Sequence, residues 1–222
     1  MKRLVLCSVF MTLFIYQGWA QSVADINIPT LTGVDQITPF YEGLAAVRRG
    51  NTWGFIDDNG KLVIDFRADL FGNSKIVVGN FGDSGISYPR FRNGRCPIRV
   101  FKSEDPGIPF YGFIDKKGKT VIEPEFLNVS EFKDGIALGI YYKKTFRGKN
   151  TFQLNIYDYS FTEVVLNPAG EMIWPLAERH HISMDRRRYK TPDLLGHILS
   201  GTLIGIGTES NPGLMEIRKI NP

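Results

Sequence analysis

The chain has 222 residues, of which 43% are hydrophobic and 23% charged, and its formal net charge is +4 at pH 7. This balance excludes intrinsic disorder as the main description and fits a globular domain of ordinary size. The 2 cysteines are too few for a disulfide scaffold. A charge this close to neutral argues against nucleic acid as a partner.

Residues 1–20 have the pattern of a secretory signal peptide. Two basic residues at positions 2 and 3 precede a mostly apolar stretch, residues 4–16, which is shorter than the ~20 residues that span a bilayer. Small residues then occupy the −3 and −1 positions before Gln21, the predicted first residue of the mature chain. We therefore expect an exported protein that is periplasmic, at the cell surface or secreted. After cleavage it is not an integral membrane protein, although association with the envelope stays open.

A unit recurs along the chain. The segments 53–64 (WGFIDDNGKLVI) and 111–122 (YGFIDKKGKTVI) match closely, and residues 164–174 (VVLNPAGEMIW) are a degenerate third copy. All three place Asp or Asn three residues before a glycine, with apolar residues on both sides. Short β-prone runs around such a turn predict β-hairpins at all three places, with the Asn-Gly pair at 59–60 supplying positive φ angles.

A second recurring piece, Phe-x-x-Gly, begins at Phe40, Phe91 and Phe132. It indicates a strand end, a turn and a further strand. Because a single hairpin cannot bury its own apolar face, the units must stack or share a sheet. Insertions interrupt the pattern at residues 65–88, 100–109 and 143–158.

The predicted fold is therefore mainly β. We expect an array of short antiparallel hairpins, forming a curved, solenoid-like or propeller-like sheet over residues 21–176. Residues 177–222 are predicted to be a separate tail, irregular or helical. A helix start at residues 191–193 (Thr-Pro-Asp) favours a short helix over 194–203, although the four glycines at positions 196, 201, 205 and 207 weaken that prediction.

The repeated motif resembles the WG β-repeat family. The resemblance rests on residues 40–47, 53–64 and 121–126 and extends over roughly residues 37–176. It departs from the family pattern at Tyr111, where the family has Trp, and at Val164, where the family has Gly. The resemblance implies a β-rich repeat architecture, a bacterial host and no defined activity.

Three motifs look catalytic or metal-binding but have simpler structural interpretations. Residues 112–120 resemble a phosphate-binding loop, but five residues separate the glycines and a strand follows, so a hairpin turn is favoured. His180 and His181 with Asp185 are poor metal ligands because adjacent side chains rarely converge on one ion. Cys96 occupies a strand position and is expected to be buried. No metal and no cofactor are therefore predicted.

Carboxylates offer an alternative function, an exported hydrolase acting on a glycan or peptide. The candidates are Asp57, Asp58, Asp115, Glu123 and Glu125. Asp57 and Asp115 occupy the same turn position in two repeats, so turn capping explains both. Two other carboxylates about 5–10 Å apart in a concave pocket would favour the hydrolase.

The favoured hypothesis is a non-catalytic module that presents a binding or scaffold surface to a protein or glycan partner. Insertions on a rigid scaffold are the usual place for recognition. Aromatic side chains in or beside two of them are the predicted partner-binding residues: Phe71, Phe81, Tyr157 and Tyr159.

Overall fold

The structure, a computed structural model, describes residues 23, 27–70, 88–207 and 214–221. The predicted signal peptide, Gln21, Phe71 and Phe81 lie outside the described residues. Contacts divide the chain into two parts, Met1–Thr30 and Leu31–Pro222. In the first part the Asn27 side-chain amide donates to the carbonyl oxygen of Val23 (2.9 Å).

The second part contains three antiparallel sheets. The first comprises β1 (Gln36–Tyr41), β2 (Leu44–Arg49), β3 (Thr52–Ile56) and β4 (Leu62–Arg67). The second comprises β5 (Cys96–Phe101), β6 (Pro109–Ile114), β7 (Thr120–Val129), β8 (Ala137–Lys149), β9 (Asn155–Leu166) and β10 (Met172–Arg179). The third comprises β11 (Gly196–Ser200), β12 (Leu203–Gly207) and β13 (Met215–Lys219).

The mainly β prediction is confirmed. In the part of the chain that the structure describes, no sheet closes into a propeller, and no helix is long and apolar enough to cross a membrane. A curved or solenoid-like arrangement stays a prediction.

All three predicted hairpins are present, as β3–β4, β6–β7 and β9–β10. In the first, Asp57 Oδ1 accepts hydrogen bonds from the amides of Asn59 (3.0 Å) and Lys61 (2.8 Å). Gly60 has a φ of 74°, whereas Asn59 is not left-handed. The loop is therefore a three-residue turn closed by a bulge, not the two-residue Asn-Gly turn that the sequence suggested.

The Phe-x-x-Gly pieces form a different turn. Their two central residues are both left-handed, as at Glu42 (φ 52°) and Gly43 (φ 84°). The same holds for Asn93–Gly94 and Asp134–Gly135. Two consecutive positive φ angles define the tight hairpin turn that matches strand twist.

These turns delimit three repeat units: β2–β4, β5–β7 and β8–β10. Their registers agree, because Ala46 pairs with Phe55, Pro97 with Phe113 and Leu138 with Val165.

The core lies between successive repeat units. The ring of Phe91 packs on Phe55 of the preceding unit (4.8 Å between centroids), and Phe132 packs on Phe113 in the same way (4.9 Å). Cys96 is fully buried in the first of these junctions, and burial raises the pKa of its thiol. The predicted burial of Cys96 is confirmed.

Hydrogen bonds link the two-residue turns of neighbouring units. The Glu42 carboxylate accepts from the amide of Gly94 (2.9 Å), and Asn93 Oδ1 accepts from the amide of Gly135 (3.3 Å). Each turn therefore positions the turn of the next unit.

The third unit departs from the repeat at the Trp-Gly pair. Glu163 and Val164 stand at the register positions of Trp53 and Gly54. The fully buried Glu163 carboxylate accepts from Arg179 Nη1 (2.8 Å) and from the amides of Leu195 (3.0 Å) and Gly196 (2.7 Å). A buried ion pair thus replaces the aromatic residue and fixes the start of β11.

The predicted helix over 194–203 is wrong, because this segment contains β11 and begins β12. Glycines disfavour a helix, and the alternating Ile204 and Ile206 bury one face of the third sheet against the third unit. Gly205 pairs with Ile217 in the register of Ala46 with Phe55. The third sheet therefore has the strand register of a further repeat unit.

Candidate functional site

The β8–β9 hairpin extends beyond its neighbours in the second sheet. β7 pairs with β8 only as far as Tyr141, and β10 pairs with β9 only as far as Phe161. The two strands continue as a ribbon, with Phe146 opposite Tyr157 and Lys149 opposite Asn155. We call residues 142–160 the β-arm. The insertion at 143–158, interpreted from the sequence as a loop, is thus a regular hairpin.

The tip of the β-arm repeats the turn of the three hairpins. Asn150 Oδ1 accepts from the amides of Phe152 (2.9 Å) and Leu154 (3.0 Å), as Asp57 does in the first unit. Gln153 takes the glycine position with a φ of 62°. The sequence conceals this fourth turn because it lacks the glycine.

One acidic residue anchors the base of the β-arm. Asp105 is buried and accepts from Lys144 Nζ (2.8 Å) and from the Tyr142 hydroxyl (3.4 Å). The hydrogen bond to Asp105 raises the pKa of Lys144. The Lys144 ammonium also lies over the rings of Tyr157 (4.8 Å) and Tyr159 (5.9 Å). These contacts fix the direction in which the ribbon leaves the sheet.

The outer half of the β-arm exposes apolar side chains. Phe152 at the tip is 80% exposed, Leu154 63% and Phe146 54%. Ile156 and Tyr157 are also exposed, and the Tyr157 ring contacts that of Phe146 edge-on (5.7 Å). Several exposed apolar side chains on one hairpin are typical of an interaction site.

The predicted site residues fall into three groups. Tyr157 is exposed on the β-arm. Tyr159 is half-buried, stacks on Phe161 (6.4 Å between centroids) and packs against the core at the base of the arm. Phe71 and Phe81 lie outside the described residues. Sequence reasoning missed Phe146, Phe152, Leu154 and Ile156, although their alternation with polar residues over 143–158 is visible.

A cleft of about 1020 Å³ lies alongside the two-residue turns, and no residue of the β-arm lines it. Arg90 donates two hydrogen bonds to Glu131 (both 2.7 Å), and this pairing raises the pKa of Arg90. The guanidinium groups of Arg90 and Arg92 lie over the Tyr41 ring (5.3 and 5.1 Å).

The carboxylates of the cleft include Glu42, Glu131, Asp134 and Asp193. The Glu131 carboxylate forms an ion pair with Arg90. Partial burial acts to raise the pKa of Glu42, but the Gly94 amide and the Lys116 ammonium outweigh it and hold the pKa below its usual value. A lowered pKa is the opposite of what a general acid needs.

The carboxylates weighed from the sequence do not line the cleft. Asp115 Oδ1 accepts from the amides of Lys117 (2.9 Å) and Lys119 (3.0 Å), so it caps its turn as Asp57 does. The turn-capping prediction is confirmed for both, and residues 112–120 form a hairpin. Among the described residues no group of three or more metal-ligating side chains is assembled.

A comparison of the sequence with known protein families finds matches in the repeated segments. The family model for the WG containing repeat matches residues 34–53, 53–67 and 111–138. These matches cover the first unit, the second hairpin and the start of the third unit. No curated protein and no solved structure matches the chain significantly.

Proposed function

We propose that this chain, a WG repeat protein over residues 34–67 and 111–138, is an exported, non-catalytic module that captures a partner protein with its β-arm. One observation carries the proposal: the outer β-arm is a two-stranded ribbon whose apolar side chains face solvent. The repeat units act as the rigid scaffold, and Asp105 fixes the arm to them.

The composition of the tip favours a protein over a glycan. Leu154 and Ile156 are aliphatic and exposed, as the aromatic Phe152 is at the tip. Aliphatic groups gain free energy when an apolar partner surface covers them, whereas sugars bind through ring stacking and many hydrogen bonds. The β-arm carries four cations, Lys143, Lys144, Arg147 and Lys149, against one anion, Asp158. Lys144 is paired with Asp105 and Arg147 with Asp158, which leaves an excess of positive charge, so the partner surface should be apolar with an acidic rim.

The test replaces the tip and leaves the scaffold intact. Phe152→Ser with Leu154→Ser should abolish capture of the partner from an envelope fraction and binding of that purified partner by calorimetry. The control is Phe101→Ser, at an exposed phenylalanine of β5 (58% exposed) that lies outside the β-arm. Equal binding by both variants would contradict the role of the arm.

Two results would assign another function. Binding of the wild-type chain to a defined glycan, lost in Tyr157→Ala, would make the partner a sugar. Turnover of a glycan or peptide by purified protein, stopped by alanine at a single carboxylate, would establish the hydrolase alternative.

Export is tested separately. After expression in a bacterium, intact mass of the product recovered outside the cytoplasm should correspond to a chain that begins at Gln21. A product that retains residues 1–20 would contradict the signal-peptide prediction.

A further inference from the structure

Within the described residues, the third sheet has no strand equivalent to β4, β7 and β10. By register, β13 is the equivalent of β3, β6 and β9. Each of those strands pairs on both sides, whereas within the described residues β13 pairs only with β12. In the described part of the chain, no strand pairs with the outer edge of β13, and an edge of this kind is the usual site of strand addition.

The side chains of β13 are open to solvent. Ile217 is 70% exposed and Met215 54%, although Phe55, at the register position of Ile217, is fully buried by the next unit. Glu216 and Arg218 alternate with them, and their side chains are 59% and 45% exposed.

The order of these residues is self-complementary. If two β13 strands pair antiparallel about Ile217, the two isoleucines lie opposite each other. Glu216 of each copy then lies opposite Arg218 of the other, at a Cβ separation of about 5 Å, where opposite charges attract. Glu216 and Arg218 also form an ion pair within one chain (3.1 Å), so the two-fold axis brings both pairs into one cluster of four alternating charges and adds one apolar contact.

We propose that β13 is a dimerisation edge, which pairs with β13 of a second copy in the register centred on Ile217. The pairing gives β13 a second neighbouring strand. It joins the third sheets of the two copies into one sheet of six strands. It requires neither the β-arm nor its partner.

Charge reversal tests the register. Sedimentation equilibrium should show a dimer for the wild-type chain and a dissociation constant at least about tenfold weaker for Glu216→Arg and for Arg218→Glu. The double variant Glu216→Arg/Arg218→Glu should recover the dimer, because every pair is again of opposite charge. An equimolar mixture of the two single variants should also dimerise.

Melting temperatures of the variants control for folding, since Arg218 also donates to the Leu176 carbonyl oxygen (2.8 Å). A wild-type chain that stays monomeric at several hundred micromolar would overturn the proposal. So would a dimer that is indifferent to both reversals, or single variants that dimerise no better when mixed.

A cross-link tests the geometry independently. Ile217→Cys should oxidise to a covalent dimer, because the two thiols face each other, whereas Met215→Cys, opposite Lys219 of the second copy, should not. The native Cys96 is fully buried and does not compete. Equal cross-linking at both positions would refute this register.

Discussion

Gly112→Ala should destabilise the second repeat unit by a steric clash, without any strain in the backbone angles. Gly112 does not have a left-handed φ, but a Cβ there would lie 2.3 Å from the Ile122 carbonyl oxygen and 2.7 Å from the Pro124 nitrogen. Carbon and oxygen approach no closer than about 3.3 Å in strand contacts, so β7 has to retreat by about 1 Å. That displacement breaks two or three ladder hydrogen bonds worth about 1 kcal/mol each. We expect a loss of about 3 kcal/mol in the free energy of unfolding.

The assay is urea unfolding followed by circular dichroism. The matched control is Gly94→Ala, at a position with open space around a Cβ but a φ of 70°. Its strain of about 1–2 kcal/mol is partly offset by the lower entropy of the unfolded chain. If Gly112→Ala is no more destabilising than Gly94→Ala, close backbone approach does not explain why a glycine follows Tyr111, as one follows Trp53 in the first unit.

Three further predictions concern stability. Gly60→Val should cost about 1–3 kcal/mol in urea unfolding, because a β-branched residue resists a φ of 74°; an unchanged midpoint would count against the turn assignment. Glu163→Gln removes the buried negative charge that accepts from Arg179 and from the amides of Leu195 and Gly196, so it should cost about 1–3 kcal/mol and speed hydrogen exchange in β11; unaltered protection of β11 would contradict this anchoring role. Burial, followed by the nearby Asp105 carboxylate, raises the pKa of Tyr142 to about 12 from 10.0. The contribution of Tyr142 to stability is therefore complete below pH 10 and lost as the pH rises to about 12, so Tyr142→Phe should flatten the alkaline fall in melting temperature; parallel curves would refute it.

The hairpins were predictable because their determinants are local. Asp57 and Gly60 fix one turn within five residues of sequence, and the same chemistry recurs at Asp115 and Gly118. The β-arm was only half predictable. The insertion at 143–158 was visible from the spacing of the repeats, but Gln153 in the glycine position conceals its turn.

The third sheet was not predictable in this way, because long-range contacts determine it. The Glu163 carboxylate binds backbone amides 32 and 33 residues further along the chain. The cleft was not predictable for the same reason, since Arg90 and Glu131 are 41 residues apart and belong to no recognisable motif. Turn chemistry can be read from neighbouring residues, but contacts between repeat units cannot.

The placement of the core between repeat units also has a consequence for dynamics. Phe91 and Phe132 are buried only because a preceding unit supplies Phe55 and Phe113. A unit that opens therefore uncovers the face of its neighbour, so that fluctuations should spread inward from either end of the array. The second and third units, each of which has a neighbour on both sides, should exchange their amide hydrogens most slowly.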